Sequence, residues 1–145
     1  MNKRQILRQL RNNVYCRIAP SKVVEGGVGV LAIREIPERT NPFVGCDDSR
    51  YVKISRQELR GGKINPEVVR CVTDMCVFDG KNFLVSSRGI QSIDISYYLN
   101  HSSDPNMVAV DRGLVFLTNR IILPGQELTV DYNTYDELRE SYRPR

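Results

Sequence analysis

Tyr97-Tyr98-Leu99-Asn100-His101-Ser102-Ser103-Asp104-Pro105-Asn106, followed about two strands later by Gly125-Gln126-Glu127-Leu128-Thr129-Val130-Asp131-Tyr132, are the segments on which the reading of this chain turns. The first sets amides, hydroxyls and the only histidine of the chain behind two tyrosines. Asn100 offers two amide hydrogens and a carbonyl acceptor, and His101 can bond through its ring or its backbone. A lone histidine is ordinarily a satisfied structural residue, so its neighbours mark it as a candidate rather than its presence. The second segment is a β-type run that ends on Tyr132, a residue with an apolar ring and a polar tip.

Outward from these segments, short β-type runs alternate with turn signals at 14–18, 28–34, 51–54, 75–78, 82–86, 107–110, 114–118 and 127–132. Short strands at this spacing predict a mainly β domain with a few short helices. Asp79-Gly80 is a hairpin signal, since glycine tolerates the positive φ of a tight primed turn. Asp111-Arg112-Gly113 and Pro124-Gly125 punctuate the later strands. Asn65-Pro66 supplies an N-cap and a first-turn proline for a helix with Val68, Val69 and Val72 as its apolar stripe. Thr134 and Glu137 read as a capping box opening a last short helix.

With 145 residues and a 41% apolar fraction, the chain furnishes one modest core and one domain. No apolar run reaches the ~18 residues of a spanning helix, and no signal-peptide core follows Met1. The expectation is a soluble intracellular protein without membrane contact. The net charge of +4 belongs to residues 1–13, where Lys3, Arg4, Arg8 and Arg11 meet no acid; the remaining basic residues match the 17 acidic ones. A basic arm suits phosphates or acidic partners, but a neutral body argues against direct nucleic-acid binding. Ile6, Leu7 and Leu10 at helical spacing predict an amphipathic helix packed on the body. Cys16, Cys46, Cys71 and Cys76 contain no C-x-x-C pair, so free thiols are expected and no metal site.

Gly27-Val28-Gly29-Val30-Leu31-Ala32 matches the dinucleotide pattern G-x-G-x-x-A, with Asp47 and Asp48 at the distance of a ribose partner. That fingerprint needs a helix directly after the glycines, whereas Val30-Leu31-Ala32-Ile33 continues as a strand and Pro37 and Pro42 follow. The alternatives are an ordinary glycine-rich turn, or a strand entry whose missing Cβ atoms let backbone amides approach a small ligand.

Together these blocks resemble the SET-domain family of protein-lysine methyltransferases. Residues 97–106 are similar to the motif R-F-x-N-H-S-C-x-P-N, residues 125–132 to G-E-E-L-T-x-D-Y, and residues 27–32 to G-x-G-V-x-A. The resemblance spans residues 14–133, with 1–13 as a basic extension and 134–145 as a short segment completing the active site. It implies several small sheets around a C-terminal pseudoknot, an S-adenosyl-L-methionine pocket on one face and a narrow lysine channel on the other. Carried onto this chain, it assigns Gly27, Gly29, Val30, Asn100 and His101 to the cofactor, and Tyr132 to catalysis.

The implied reaction moves a methyl group to the ε-amine of a lysine in a protein or peptide substrate, histone tails being the family's best-known substrates; a homodimer is compatible with it. An inactive SET-like module that binds peptide or cofactor is the alternative, and retention of Asn100, His101 and Tyr132 disfavours it. Departures from the pattern are Ser103 for Cys, Tyr97 for Arg, Arg39 for a turn glycine and Asn133 for Gly. The zinc-bearing flanks of many eukaryotic members are missing, which leaves channel closure to 134–145; Tyr135 or Tyr142 is the candidate to stack on adenine.

Overall fold

The computed structural model describes residues 1–43 and 51–136. Cys46, Asp47, Asp48, Glu137 and Tyr142 therefore lie outside the described residues. The strands are β1 (Cys16–Pro20), β2 (Val28–Ala32), β3 (Tyr51–Ser55), β4 (Asn82–Ser86), β5 (Asn100–His101), β6 (Met107–Val110), β7 (Val115–Thr118) and β8 (Glu127–Val130). The helices are α1 (Lys3–Asn12), α2 (Arg56–Gly61) and α3 (Pro66–Met75).

A four-stranded sheet in the order β1-β2-β8-β5 carries the motif segments, and β3-β4 and β6-β7 form two further ribbons. β1 turns antiparallel onto β2, with Cys16 opposite Ala32 and Pro20 opposite Val28. β8 pairs antiparallel with the other edge of β2, Val30 facing Leu128. The two-residue β5, too short to register as a strand in the sequence, lies parallel to β8 with Asn100 opposite Thr129. Asn106 locks this crossing: its Nδ2 donates to the Glu127 carbonyl at 2.8 Å and its Oδ1 accepts from the Thr129 N–H at 2.9 Å. A buried amide with both ends bonded offsets its own desolvation and satisfies backbone groups of β8.

All four residues of β8 are buried, as are the last four of β2, so these strands have both faces covered and read as continuous runs rather than alternations. Val30, Ile36, Met107, Ile122, Leu128 and Val130 are at most 1% exposed and form the main core; each such side chain contributes roughly 1.5–3 kcal/mol by its burial. Leu59, Val72, Cys76, Phe78, Phe83 and Val85 make a smaller second core under α2, α3 and β4.

α3 starts where Asn65-Pro66 places it, with Asn65 Oδ1 accepting from the Glu67 N–H at 2.8 Å. Val72 is buried and Val69 packs beside it, while Val68 faces out. The helix runs through Met75, so 75–78 is no strand; Phe78 keeps only an isolated bridge to Phe83. The turn between them is as expected, with the Asp79 N–H donating to the Asn82 carbonyl at 3.0 Å and Gly80 at φ 92°. α2 is a helix that the strand and turn signals do not foretell; Ser55 and Glu58 form a reciprocal capping box for it.

The N-terminal segment is helical, capped by Asn2 and Gln5, but the expectation that it packs on the body is corrected. None of its residues is buried, and Ile6, Leu7 and Leu10 are 42%, 43% and 56% exposed. Arg34 ties it to the body, its Nη1 donating to the Arg11 carbonyl at 3.0 Å. Arg39 sits at φ 59°, the left-handed geometry for which a glycine is the unstrained choice. Among the described residues, no helix is long and apolar enough to cross a membrane.

Candidate active site

Gly29, Asn100 and Glu127 meet across three adjacent strands. Asn100 Nδ2 donates to Glu127 Oε1 at 2.9 Å, to the Val28 carbonyl at 2.9 Å and to Ser21 Oγ at 3.2 Å. The Glu127 carboxylate is 6% exposed and also accepts from Ser21 Oγ at 2.9 Å and the Lys22 N–H at 2.6 Å. A Cβ on Gly29 would stand 2.1 Å from Glu127 Oε1 and 3.1 Å from Asn100 Nδ2, so this strand position admits no side chain. Gly27 belongs to the preceding turn, its N–H donating to the Val24 carbonyl and its carbonyl accepting from the Ser21 N–H. Val30 is wholly buried, backbone included.

Because Asn100 commits its amide hydrogens to carbonyl and carboxylate oxygens, it presents Oδ1, an acceptor, to anything else. With the Glu127 charge behind it, this cradle suits a cationic group. In the sequence Glu127 is one residue of a β-type run like any other; its pairing with Asn100 across 27 positions is a signal that only the fold supplies.

Tyr132 holds the same segment from the other side. Its hydroxyl donates to the Leu99 carbonyl at 2.5 Å and its backbone N–H donates to His101 Nδ1 at 3.2 Å, with the two rings 5.4 Å apart. Nδ1 of His101 is thus an acceptor here; the 3.5 Å approach of Asp131 to the same nitrogen becomes an ion pair only on protonation. Burial pushes the Tyr132 hydroxyl up to about 12, and the negative charges of Asp136 and Glu127 add to this. The phenol is neutral at physiological pH.

Leu99 and Tyr132 face a cavity of about 490 Å³ walled also by Tyr51, Tyr97, Phe116 and Tyr135. Tyr97 is pushed well above its ordinary value, first by burial and then by the nearby Tyr51, to which it is hydrogen-bonded. Tyr135 packs edge-on against Phe116 and Tyr132, with centroids at 5.6 and 6.2 Å, and a Cβ on Gly113 would strike its ring at 2.4 Å. Asp74, Asp94, Asp111 and Asp136 line the cavity, and no lysine or arginine does among the described residues.

The fold therefore brings Gly29, Asn100 and Glu127 together on the sheet and joins His101 to Tyr132. Tyr135 stands on the cavity wall beside Tyr132, and Gly27, Gly29, Val30, Asn100 and His101 do not line that cavity.

The SET domain family matches residues 27–133. Among solved structures, the chain is similar to the crystal structure of a Plasmodium falciparum "putative histone methyltransferase", with a TM-score of 0.51 and 17% identity over 81% of this chain and 92% of that one. At that identity the likeness speaks for the fold. A sequence search of curated proteins gave no match. The family match covers most of the chain and contains the Gly29–Asn100–Glu127 cradle and Tyr132, and the chain belongs to the SET-domain family.

Proposed function

We propose that this protein is an S-adenosyl-L-methionine-dependent protein-lysine N-methyltransferase. The observation that carries the reading is the two-sidedness of one short segment: Leu99 faces the aromatic cavity beside Tyr132, and the next residue, Asn100, turns to Gly29 and Glu127. Successive residues of an extended chain point to opposite faces. A segment so placed separates a cofactor cradle from a substrate channel and brings the two within one residue of each other.

The residues fit the group the family uses. Asn100 Oδ1 and the Glu127 charge favour the α-ammonium of the zwitterionic amino-acid end, the bare backbone at Gly29 admits a close approach, and His101 borders the same strand pair. The cofactor supplies an activated methyl group. Tyr135, on the cavity wall with Phe116, is assigned to the channel rather than to adenine.

A free lysine has a pKa of ~10.4 and is cationic at neutral pH. The aromatic walls strip water from the entering side chain and push that value down, while the aspartates of the lining favour the ammonium and draw it in; desolvation beside Tyr132 is what makes the neutral amine accessible. Tyr132 then works by position. Its hydrogen is held by the Leu99 carbonyl, and its oxygen is presented as an acceptor for polarised C–H groups and for the amine. Confinement of the amine on line with the cofactor pocket lowers the barrier without a strong base. Histones are the first substrate class to try, because the acidic cavity lining favours basic segments.

The test is incubation with methyl-labelled cofactor and both a histone panel and total cell protein, followed by mass spectrometry of labelled chains. Label on lysine Nζ supports the reading. Cofactor binding by calorimetry without transfer to any lysine refutes it in favour of a binding module.

A further inference from the structure

The helix α1 lies outside both cores, none of its side chains lines the aromatic cavity, and its surface is sorted into sectors. At about 3.6 residues per turn, Ile6, Leu7 and Leu10 share one sector, Arg4, Arg8 and Arg11 share the sector beside it, and Gln5, Gln9 and Asn12 fall on the far side. Gln9 alone in the helix is half-buried, so the glutamine side turns to the body and the other two sectors turn outward. Ile6, Leu7 and Leu10 are exposed, as is Met1 ahead of them. Residues 1–13 carry Lys3 and the three arginines and no acid.

We propose that α1 is a peripheral membrane anchor that lies in the plane of an anionic lipid surface, with Ile6, Leu7 and Leu10 entering the acyl boundary and Arg4, Arg8 and Arg11 on the phosphates. The two outward sectors need different neighbours and stand side by side, which selects this partner. The phosphates of a nucleic acid would satisfy the arginines and leave the apolar triad in water. An uncharged apolar groove would do the reverse. An anionic bilayer meets both sectors at once, because its charge lies at the surface and its apolar interior begins just beneath. Lys3 falls at the N-terminal end of the apolar sector, where its long stem lets the ammonium reach the same phosphate level.

Such a helix rests on the membrane and does not cross it, so no long apolar span is needed. Arg34 fastens its far end: the guanidinium that donates to the Arg11 carbonyl also stacks over the Tyr15 ring, 6.0 Å from its centroid. The body is thereby held close to the surface on which α1 lies. A triad this small gives reversible binding, and the part of it supplied by the arginines weakens as salt screens them. The anchor is independent of the methyltransferase reading; it concerns where the chain sits and not what it catalyses.

The experiment is co-sedimentation of the full-length protein with vesicles of phosphatidylcholine alone and of phosphatidylcholine with about one-third phosphatidylserine. Three proteins are compared: the wild type, the triple variant Ile6→Ser, Leu7→Ser, Leu10→Ser, and the triple variant Arg4→Gln, Arg8→Gln, Arg11→Gln. The wild type should bind the anionic vesicles about 10-fold or more tightly than the neutral ones, and each triple variant should lose about 10-fold or more of that binding. The melting temperature should be the same in all three, since no residue of α1 is buried. The chain has no tryptophan, so Leu7→Trp sets a single reporter on the apolar sector, and its emission should move to shorter wavelength on anionic vesicles. Failure of the wild type to sediment with anionic vesicles overturns the anchor. Full binding by the serine variant, or unshifted emission from vesicle-bound Leu7→Trp, overturns insertion and leaves adsorption by charge alone. Duplex DNA bound through the arginines more tightly than anionic vesicles, and equally well by the serine variant, overturns it in favour of a nucleic-acid arm.

Discussion

The Tyr132 hydroxyl donates to the Leu99 carbonyl at 2.5 Å, so the group proposed to work at the methyl transfer also holds the segment that runs between the aromatic cavity and the Gly29–Asn100–Glu127 cluster. Tyr132→Phe therefore removes two things at once. Turnover should fall roughly 10- to 1000-fold, and stability should drop by about 0.5–1.5 kcal/mol for the lost hydrogen bond. Urea unfolding and single-turnover assays separate the two; full turnover in the phenylalanine variant removes Tyr132 from the chemistry.

The same phenol predicts a pH effect on stability. Its pKa is raised from 10.0 to about 12 in the folded chain, by burial first and then by Asp136 and Glu127. Between those values the unfolded chain has lost the proton and the native chain has not, so stability falls as pH rises through that window and is unaffected below it. Denaturant midpoints at pH 9 and pH 11 should converge between wild type and Tyr132→Phe at the higher pH. Parallel curves for the two proteins would show that the buried phenol ionises freely.

At Gly29 the prediction is steric. A methyl group would stand 2.1 Å from Glu127 Oε1, and the carboxylate is fastened by Ser21, Lys22 and Asn100. Gly29→Ala should cost about 1–3 kcal/mol of stability as strand or carboxylate moves, and cofactor binding should weaken with it. A thermal melt and a calorimetric titration unchanged from wild type would mean that the cradle yields more easily than its bonds suggest.

For Asn100→Ala, the loss is a donor to Glu127 and the acceptor proposed to meet the cofactor. Cofactor affinity should fall by about 1–3 kcal/mol. Asn100→Asp should be worse than alanine for folding, since it sets a carboxylate at 2.9 Å from Glu127 Oε1. Equal stability of the two variants would count against a charged Glu127 at this contact.

Much of this was legible before the fold. The G-x-G, Asn-His and Asp-Tyr blocks carried the family, and the turn residues at Asn65-Pro66 and Asp79-Gly80 placed a helix start and a tight turn. Tertiary pairing was not legible. Glu127 looks like any strand residue until Asn100 and Gly29 close on it, and a two-residue strand such as β5 has no periodicity to read. α2 is six residues long, too short for an apolar stripe, and its capping box was the sole local sign. The amphipathic pattern of α1 gave the helix correctly but could not say whether the body offers it a groove. Tyr135 needed the fold as well, because its wall position depends on the bare Gly113 beneath its ring.

In the proposed reaction a methyl group crosses from the Gly29–Asn100–Glu127 side to a lysine held beside Tyr132. Its most direct measurement is mass spectrometry of lysine residues in histones and total cell protein after incubation with cofactor carrying a deuterated methyl group. Deuterated methyl is expected on lysine Nζ with the wild type, with a loss of label in Tyr132→Phe that its small stability cost cannot explain. Intact cofactor binding with no labelled lysine in any protein, or equal labelling by Tyr132→Phe, would contradict it.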